Sequence, residues 1–185
     1  MSGTDGRARV APLPAPERDE RQAALVERAG AELNVFTTLV RSPDVFADYL
    51  PFGERLLHRS TLDPRVRELL ILRVARRCRA PYIWSHHEVI GRSAGLTDDD
   101  LATLSAGTGQ DDDPLRALTI RAADELVTAH GLSDATWNDM AARYPTEQII
   151  EICLLVGSYV MLAGTLNALG VQIEHGTPAP SWATR

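Results

Sequence analysis

Two runs decide how this chain reads: Arg67–Arg77, RELLILRVARR, and Tyr82–Leu101, YIWSHHEVIGRSAGLTDDDL, joined by Cys78-Arg79-Ala80-Pro81. Just upstream, Asp63-Pro64 places an N-cap before a proline at the first helical position, so a helix opens there and runs to about Arg79. Side chains three and four apart are neighbours on a helix. Glu68 has Ile71 and Leu72 ahead of it and Pro64 and Arg65 behind, so it lacks the forward arginine of a solvated surface pair. A glutamate in that setting sits at a subunit contact or is buried with a partner. The next helix supplies candidates. His87 has Ile83, Trp84, Ile90 and Gly91 as helical neighbours, an apolar face, whereas Glu88 pairs with Arg92 one turn on and marks the solvent side. His86 stacks with Tyr82, Val89 and Ile90 and can also point inward. Two antiparallel helices joined by the short Ala80-Pro81 link bring Glu68 and one of these histidines together. The pattern allows proton chemistry, and equally a buried pair that only ties two helices.

Outward from this pair the punctuation is helical throughout. Thr97-Asp98-Asp99-Asp100 resembles a capping box with acidic residues in the first turn. Asp113-Pro114 opens another helix, which His130-Gly131 closes, with the glycine suited to a left-handed C′ position. Ser133 caps a short helix, and Thr146 starts a long apolar one that ends at Gly170. Glu20–Ala29 and Pro43–His58 read as further helices, the latter with Pro51 inside. No strand-like alternation of useful length and no internal repeat occur. The expectation is an all-α fold of roughly seven or eight helices. Residues 19–174 form one helical domain, flanked by flexible tails at 1–18 and 175–185, where prolines cluster among small and charged residues.

Composition removes several function classes. The formal net charge is −6 and aromatics are 5%, so neither a positive field for a phosphate backbone nor a base-stacking platform is present. There is no lysine, which excludes Schiff-base, pyridoxal and P-loop chemistry; richness in Ala, Arg, Asp and Gly points to a GC-rich genome. Two separated cysteines, Cys78 and Cys153, make neither a disulfide framework nor a zinc site. The first residues lack an apolar h-region, and the longest apolar run, within Ile149–Val156, is broken by Glu151, which argues against a membrane span and for the cytoplasm.

At RELLILRVARR…YIWSHHEVIGRSAGLTDDDL the sequence resembles the carboxymuconolactone decarboxylase superfamily, which also contains alkylhydroperoxidase D (AhpD). The likeness extends from about Asn34 to Gly170 and includes Ser158–Val171, SYVMLAGTLNALGV. In the peroxidase branch a glutamate precedes a Cys-x-x-Cys pair, and a histidine follows the second cysteine by four residues. The resemblance puts that glutamate at Glu68, the histidine at His87, and the two cysteines at Ala80 and Ile83. The proton-relay residues are kept and the redox centre is gone. The decarboxylase branch keeps a histidine matching His87, ahead of a segment like Ala94-Gly95-Leu96-Thr97, and expels carbon dioxide from an unsaturated lactone acid without a metal.

The resulting expectation is a cofactor-independent acid–base enzyme, bacterial in character, on a small carboxylated or enolisable metabolite. It would work by decarboxylation, isomerisation or elimination, with no metal. His87 acts as general acid–base, Glu68 orients it, and His86, Trp84 and Tyr82 shape the pocket. Arg73 or Arg76 is placed to meet an anionic substrate. The alternatives are an AhpD-like peroxidase using a lone Cys78 and a non-catalytic ligand-binding oligomer. The apolar helix Thr146–Leu169, with Gly157 and Gly164 on nearly one face, implies a homo-oligomer, and the resemblance implies a trimer or a hexamer built from trimers.

Overall fold

The computed structural model describes residues 8–106 and 112–184. Among these the fold is all-α: α1 Glu20–Ala29, α2 Asn34–Leu39, α3 Pro43–His58, α4 Pro64–Arg77, α5 Pro81–Ser93, α6 Asp98–Ala106, α7 Pro114–Thr128, α8 Asp134–Arg143 and α9 Thr146–Leu169, with short 3-10 helices at Ala15–Glu17 and Ser181–Thr184. The sequence reading placed all of these α-helices except the six-residue α2. Its start signals act as capping chemistry dictates. Asp63 accepts from the N–H groups of Arg65 and Val66, Asp113 from those of Leu115 and Arg116, and Ser133 from that of Thr136. Thr97 and Asp100 bond reciprocally, with Thr97 N–H to Asp100 at 2.8 Å and Asp100 N–H to the Thr97 hydroxyl at 3.2 Å. One stop signal differs. After α7 the left-handed residue is His130, with φ 57°, one position before the glycine expected to take it.

The chain divides into two compact units. The first comprises residues 1–59 and 165–178. Its core is Leu13, Leu25, Val26, Val40, Phe46 and Leu50, with Phe36 and Phe46 ring centroids 6.1 Å apart. Of the stretch expected as an N-terminal tail, residues 1–7 lie outside the described residues, while 8–18 are anchored. Leu13 is buried, Arg9 and Val10 donate their N–H groups to Leu169 O, and Arg18 forks onto Glu32 at 2.6 and 2.7 Å.

The second unit comprises residues 60–164 and 179–185. Helix α4 is its centre, with every residue from Glu68 to Ala75 buried and α5, α6 and α7 packed around it. A helix enclosed on all sides must satisfy its polar groups internally. Arg73 does so: it is fully buried, makes two 2.6 Å bonds to Asp124 on α7, and donates to Leu104 O on α6. The link to α5 is tight because Arg79 adopts φ 49° and Ala80 N–H reaches back to Ala75 O at 2.8 Å. Gly91 lets α5 close on its neighbours, since a Cβ there would stand 2.7 Å from Leu96 Cδ1. Within the expected C-terminal tail, Ser181–Thr184 is helical and Trp182 meets Trp84 edge-on at 5.6 Å.

Helix α9 corrects one expectation. Its 24 residues are long and apolar enough to cross a membrane by length and composition. Half of its most apolar stretch is buried inside the protein, as in a core helix. Ile149, Ile152, Leu155, Val156, Tyr159 and Ala163 face inward, while Ile150, Leu154, Gly157, Met161 and Gly164 are exposed.

Candidate active site

Glu68 and His87 meet. Glu68 Oε2 lies 2.7 Å from His87 Nδ1, with the glutamate fully buried and His87 8% exposed. The other carboxylate oxygen accepts from Arg67 Nε at 3.0 Å. The guanidinium balances the charge of a carboxylate that has lost its water. Across the ring, the Tyr159 hydroxyl is 3.0 Å from His87 Nε2, and the two rings stand edge to face at 86°. The constellation is thus Arg67–Glu68–His87–Tyr159, drawn from α4, α5 and α9. With the carboxylate ionised, Nδ1–H donates to Glu68, and the neutral ring's Nε2 accepts from the Tyr159 hydroxyl. Tyr159 was not singled out from sequence. Its only signal is a hydroxylated aromatic ring within a run of aliphatic residues.

The remaining expected site residues separate from this centre. His86 is half-buried and stacks on Tyr82, itself buried, with centroids 4.6 Å apart. Trp84 is buried, donates its indole N–H to Glu88 at 2.9 Å and packs on Trp182. Ile90, expected on the inward face beside His87, is 42% exposed. Arg73 is committed to Asp124 and has no accessible surface, so it is a buried tie between helices and not a free substrate cation. Arg76 donates Nε to Ser105 O at 2.7 Å and lies over the Trp182 ring. It stands eight residues beyond Glu68, about 12 Å along the same helix.

The two cysteine positions of the peroxidase branch are filled by apolar packing: Ala80 is fully buried and Ile83 is 2% exposed. Burial pushes the half-buried Cys78 thiol up, and the neighbouring Arg77 charge offsets only part of that rise. Among the described residues, no three His, Cys, Asp or Glu side chains are grouped to hold a metal ion.

The model of the carboxymuconolactone decarboxylase family matches residues 43–128, which span both Glu68 and His87. Over that segment, which holds the Glu68–His87 pair, the chain matches the carboxymuconolactone decarboxylase family. The solved structures show the same fold. A peroxidase-related protein with an AhpD core from Ralstonia eutropha superposes with a TM-score of 0.71 at 19% identity, covering 90% of this chain and 93% of that one. A peroxidase-related protein from a Silicibacter species gives 0.74 at 15% identity, covering 95% and 97%. The debrominase Bmp8 gives 0.71 at 16% identity, covering 90% and 92%. No curated protein sequence matches this chain significantly.

Proposed function

We propose that this protein is a cofactor-independent acid–base enzyme on a small carboxylated or enolisable metabolite, acting by decarboxylation, isomerisation or elimination. The observation that carries the reading is the pair of bonds on His87, Nδ1 to Glu68 and Nε2 to the Tyr159 hydroxyl. Glu68 holds the tautomer in which Nε2 carries the lone pair, and stabilises the imidazolium once that nitrogen takes a proton. Tyr159 is the last member of the line. As its oxygen accepts a proton from the substrate carbon, its own proton passes to Nε2, and the reverse transfer returns a proton to the product. Arg67 keeps the carboxylate balanced through the cycle. Among relatives of this fold, one with a debrominase name supports an enzymatic role. A cytoplasmic setting and a homo-oligomer, trimer or hexamer, belong to the same proposal, and the exposed apolar stripe of α9 supports the oligomer.

Solvent exchange tests this even while the product is unidentified. A panel of small carboxylates and enolisable ketoacids is incubated with the protein in deuterated buffer and followed by proton NMR. Deuterium should enter at the acidic carbon of at least one compound, and His87→Asn should slow that entry by about a hundredfold or more. Exchange that proceeds equally in the variant would refute the assignment.

The complete pairing of His87 also supports a second reading, in which Glu68, His87 and Tyr159 tie three helices of a non-catalytic ligand-binding protein. There, His87→Asn lowers stability and the whole panel stays free of enzyme-dependent exchange.

A further inference from the structure

A second chemical centre lies at the far end of α4. A cavity of about 350 Å³ is lined by Arg76, Arg79, Pro81, Trp182 and Ala183. That volume is at the small end of the range for metabolite pockets. Its charged lining is entirely cationic, on a chain whose net charge is −6. Most other arginines in this unit are neutralised nearby: Arg65 by Asp100, Arg67 by Glu68, Arg73 and Arg77 by Asp124, Arg92 by Glu88 and Asp98, Arg116 by Asp99 and Asp100, and Arg121 by Asp139, while the exposed Arg143 does not line this cavity. Arg76 and Arg79 have no carboxylate partner among the described residues. Arg76 spends Nε on Ser105 O, and its guanidinium carbon lies 5.3 Å from the centroid of the Trp182 ring. Arg79 is exposed, held at the cavity edge by the left-handed turn between α4 and α5.

Trp182 owes its place to packing, edge-on against Trp84 and beneath Arg76, since its indole N–H has no hydrogen-bond acceptor among the described residues. The cavity therefore combines two guanidinium groups with an indole and a proline ring. Planar guanidinium matches carboxylate, and an aromatic wall favours a flat unsaturated body.

We propose that this cavity binds the carboxylate of a small, flat, unsaturated anion, with Arg76 and Arg79 on the carboxylate and Trp182 against its plane. This is a binding site separate from the Glu68–His87–Tyr159 centre, and it stands whether or not that centre is catalytic.

Isothermal titration of the full chain with benzoate, acetate and inorganic phosphate at fixed ionic strength provides the test. Benzoate should bind saturably and at least tenfold more tightly than either of the others. Arg79→Gln should weaken benzoate at least tenfold, and Arg79→Lys should recover part of the loss. Arg79 is exposed and without a side-chain partner among the described residues, so neither variant disturbs packing, and a thermal melt checks this. Trp182→Ala should bring benzoate down to the affinity of acetate. Benzoate binding unchanged by Arg79→Gln, phosphate or acetate binding as tightly as benzoate, or no saturable binding at all would each overturn the proposal.

Discussion

Glu68 and His87, 19 positions apart on consecutive helices, make a 2.7 Å contact. Burial of this kind is costly unless every polar atom is answered. Here each is: Arg67 takes the second carboxylate oxygen, and Tyr159 takes the second ring nitrogen. The result is a single line of donors and acceptors, from a nearly covered guanidinium to a phenol. It orients the imidazole, as proton transfer requires, and it does so with no cysteine pair beside it.

Tyr159→Phe isolates the last member of that line. Phenylalanine keeps the ring packed against His87 and removes only the hydroxyl, leaving a buried nitrogen unanswered. Urea denaturation should show a loss of about 1–3 kcal/mol. Unchanged stability would mean that the hydroxyl–imidazole bond is not formed in solution.

How much of this was legible depended on the range of the cause. Helix starts were readable because caps are local: Asp63, Asp113 and Ser133 each bond an N–H two or three residues on. Glu68 and His87 were readable because a charged or titratable group among aliphatic neighbours has few places to go. Arg73 looked like a free cation because its partner, Asp124, lies 51 residues away and leaves no mark beside it. Trp182 and Leu13 were assigned to loose tails for the same reason, their burial being decided by distant side chains. Tyr159 was hidden by a helix so uniformly apolar that it carries almost no periodicity.

Asp100 sets an acid limit on stability. Burial by itself would raise its carboxyl, but the N–H and hydroxyl of Thr97, the Arg116 guanidinium and the Arg65 charge outweigh that and hold it below the ordinary aspartate value of 3.8. A carboxyl depressed in the folded state contributes stability that is complete above about pH 5 and is lost as pH falls through the folded value. Asp100→Asn should therefore flatten the decline in unfolding free energy below pH 4 while lowering stability at pH 7, measured by urea denaturation across pH. Removing one partner of a buried pair typically costs about 3–5 kcal/mol, and the loss at pH 7 should fall below that because Arg116 keeps its 2.7 Å bond to Asp99. Parallel curves for the two proteins would show that Asp100 does not govern the acid limb.

Cys78 should be a slow thiol. Its pKa is raised by burial, so the thiolate is a smaller fraction at neutral pH than for a free cysteine, and Ala80 and Ile83 leave no resolving partner at the family spacing. Hydrogen peroxide or an organic hydroperoxide with dithiothreitol should show no turnover above a Cys78→Ser control. Turnover that disappears in Cys78→Ser would restore the lone-thiol peroxidase alternative.

The exposed stripe of α9 should be covered by another copy of this chain. Ile150, Leu154, Gly157, Met161 and Gly164 follow one another at intervals of four and three, the spacing of a helix seam. Ile150, Leu154 and Met161 are 55%, 49% and 54% exposed, and a Cβ added at Gly157 or Gly164 meets nothing within 4 Å. Light scattering at low micromolar concentration should give three or six times the 20.2 kDa of one chain. Leu154→Glu should reduce that mass toward a single chain. Gly157→Ala is the sharper probe: its methyl clashes with nothing in the protomer, and alanine favours a helix by about 1 kcal/mol over glycine. It should weaken association without lowering the thermal stability of the protomer. A mass near 20.2 kDa for the unaltered protein, or an assembly indifferent to both substitutions, would show that this face is not the contact.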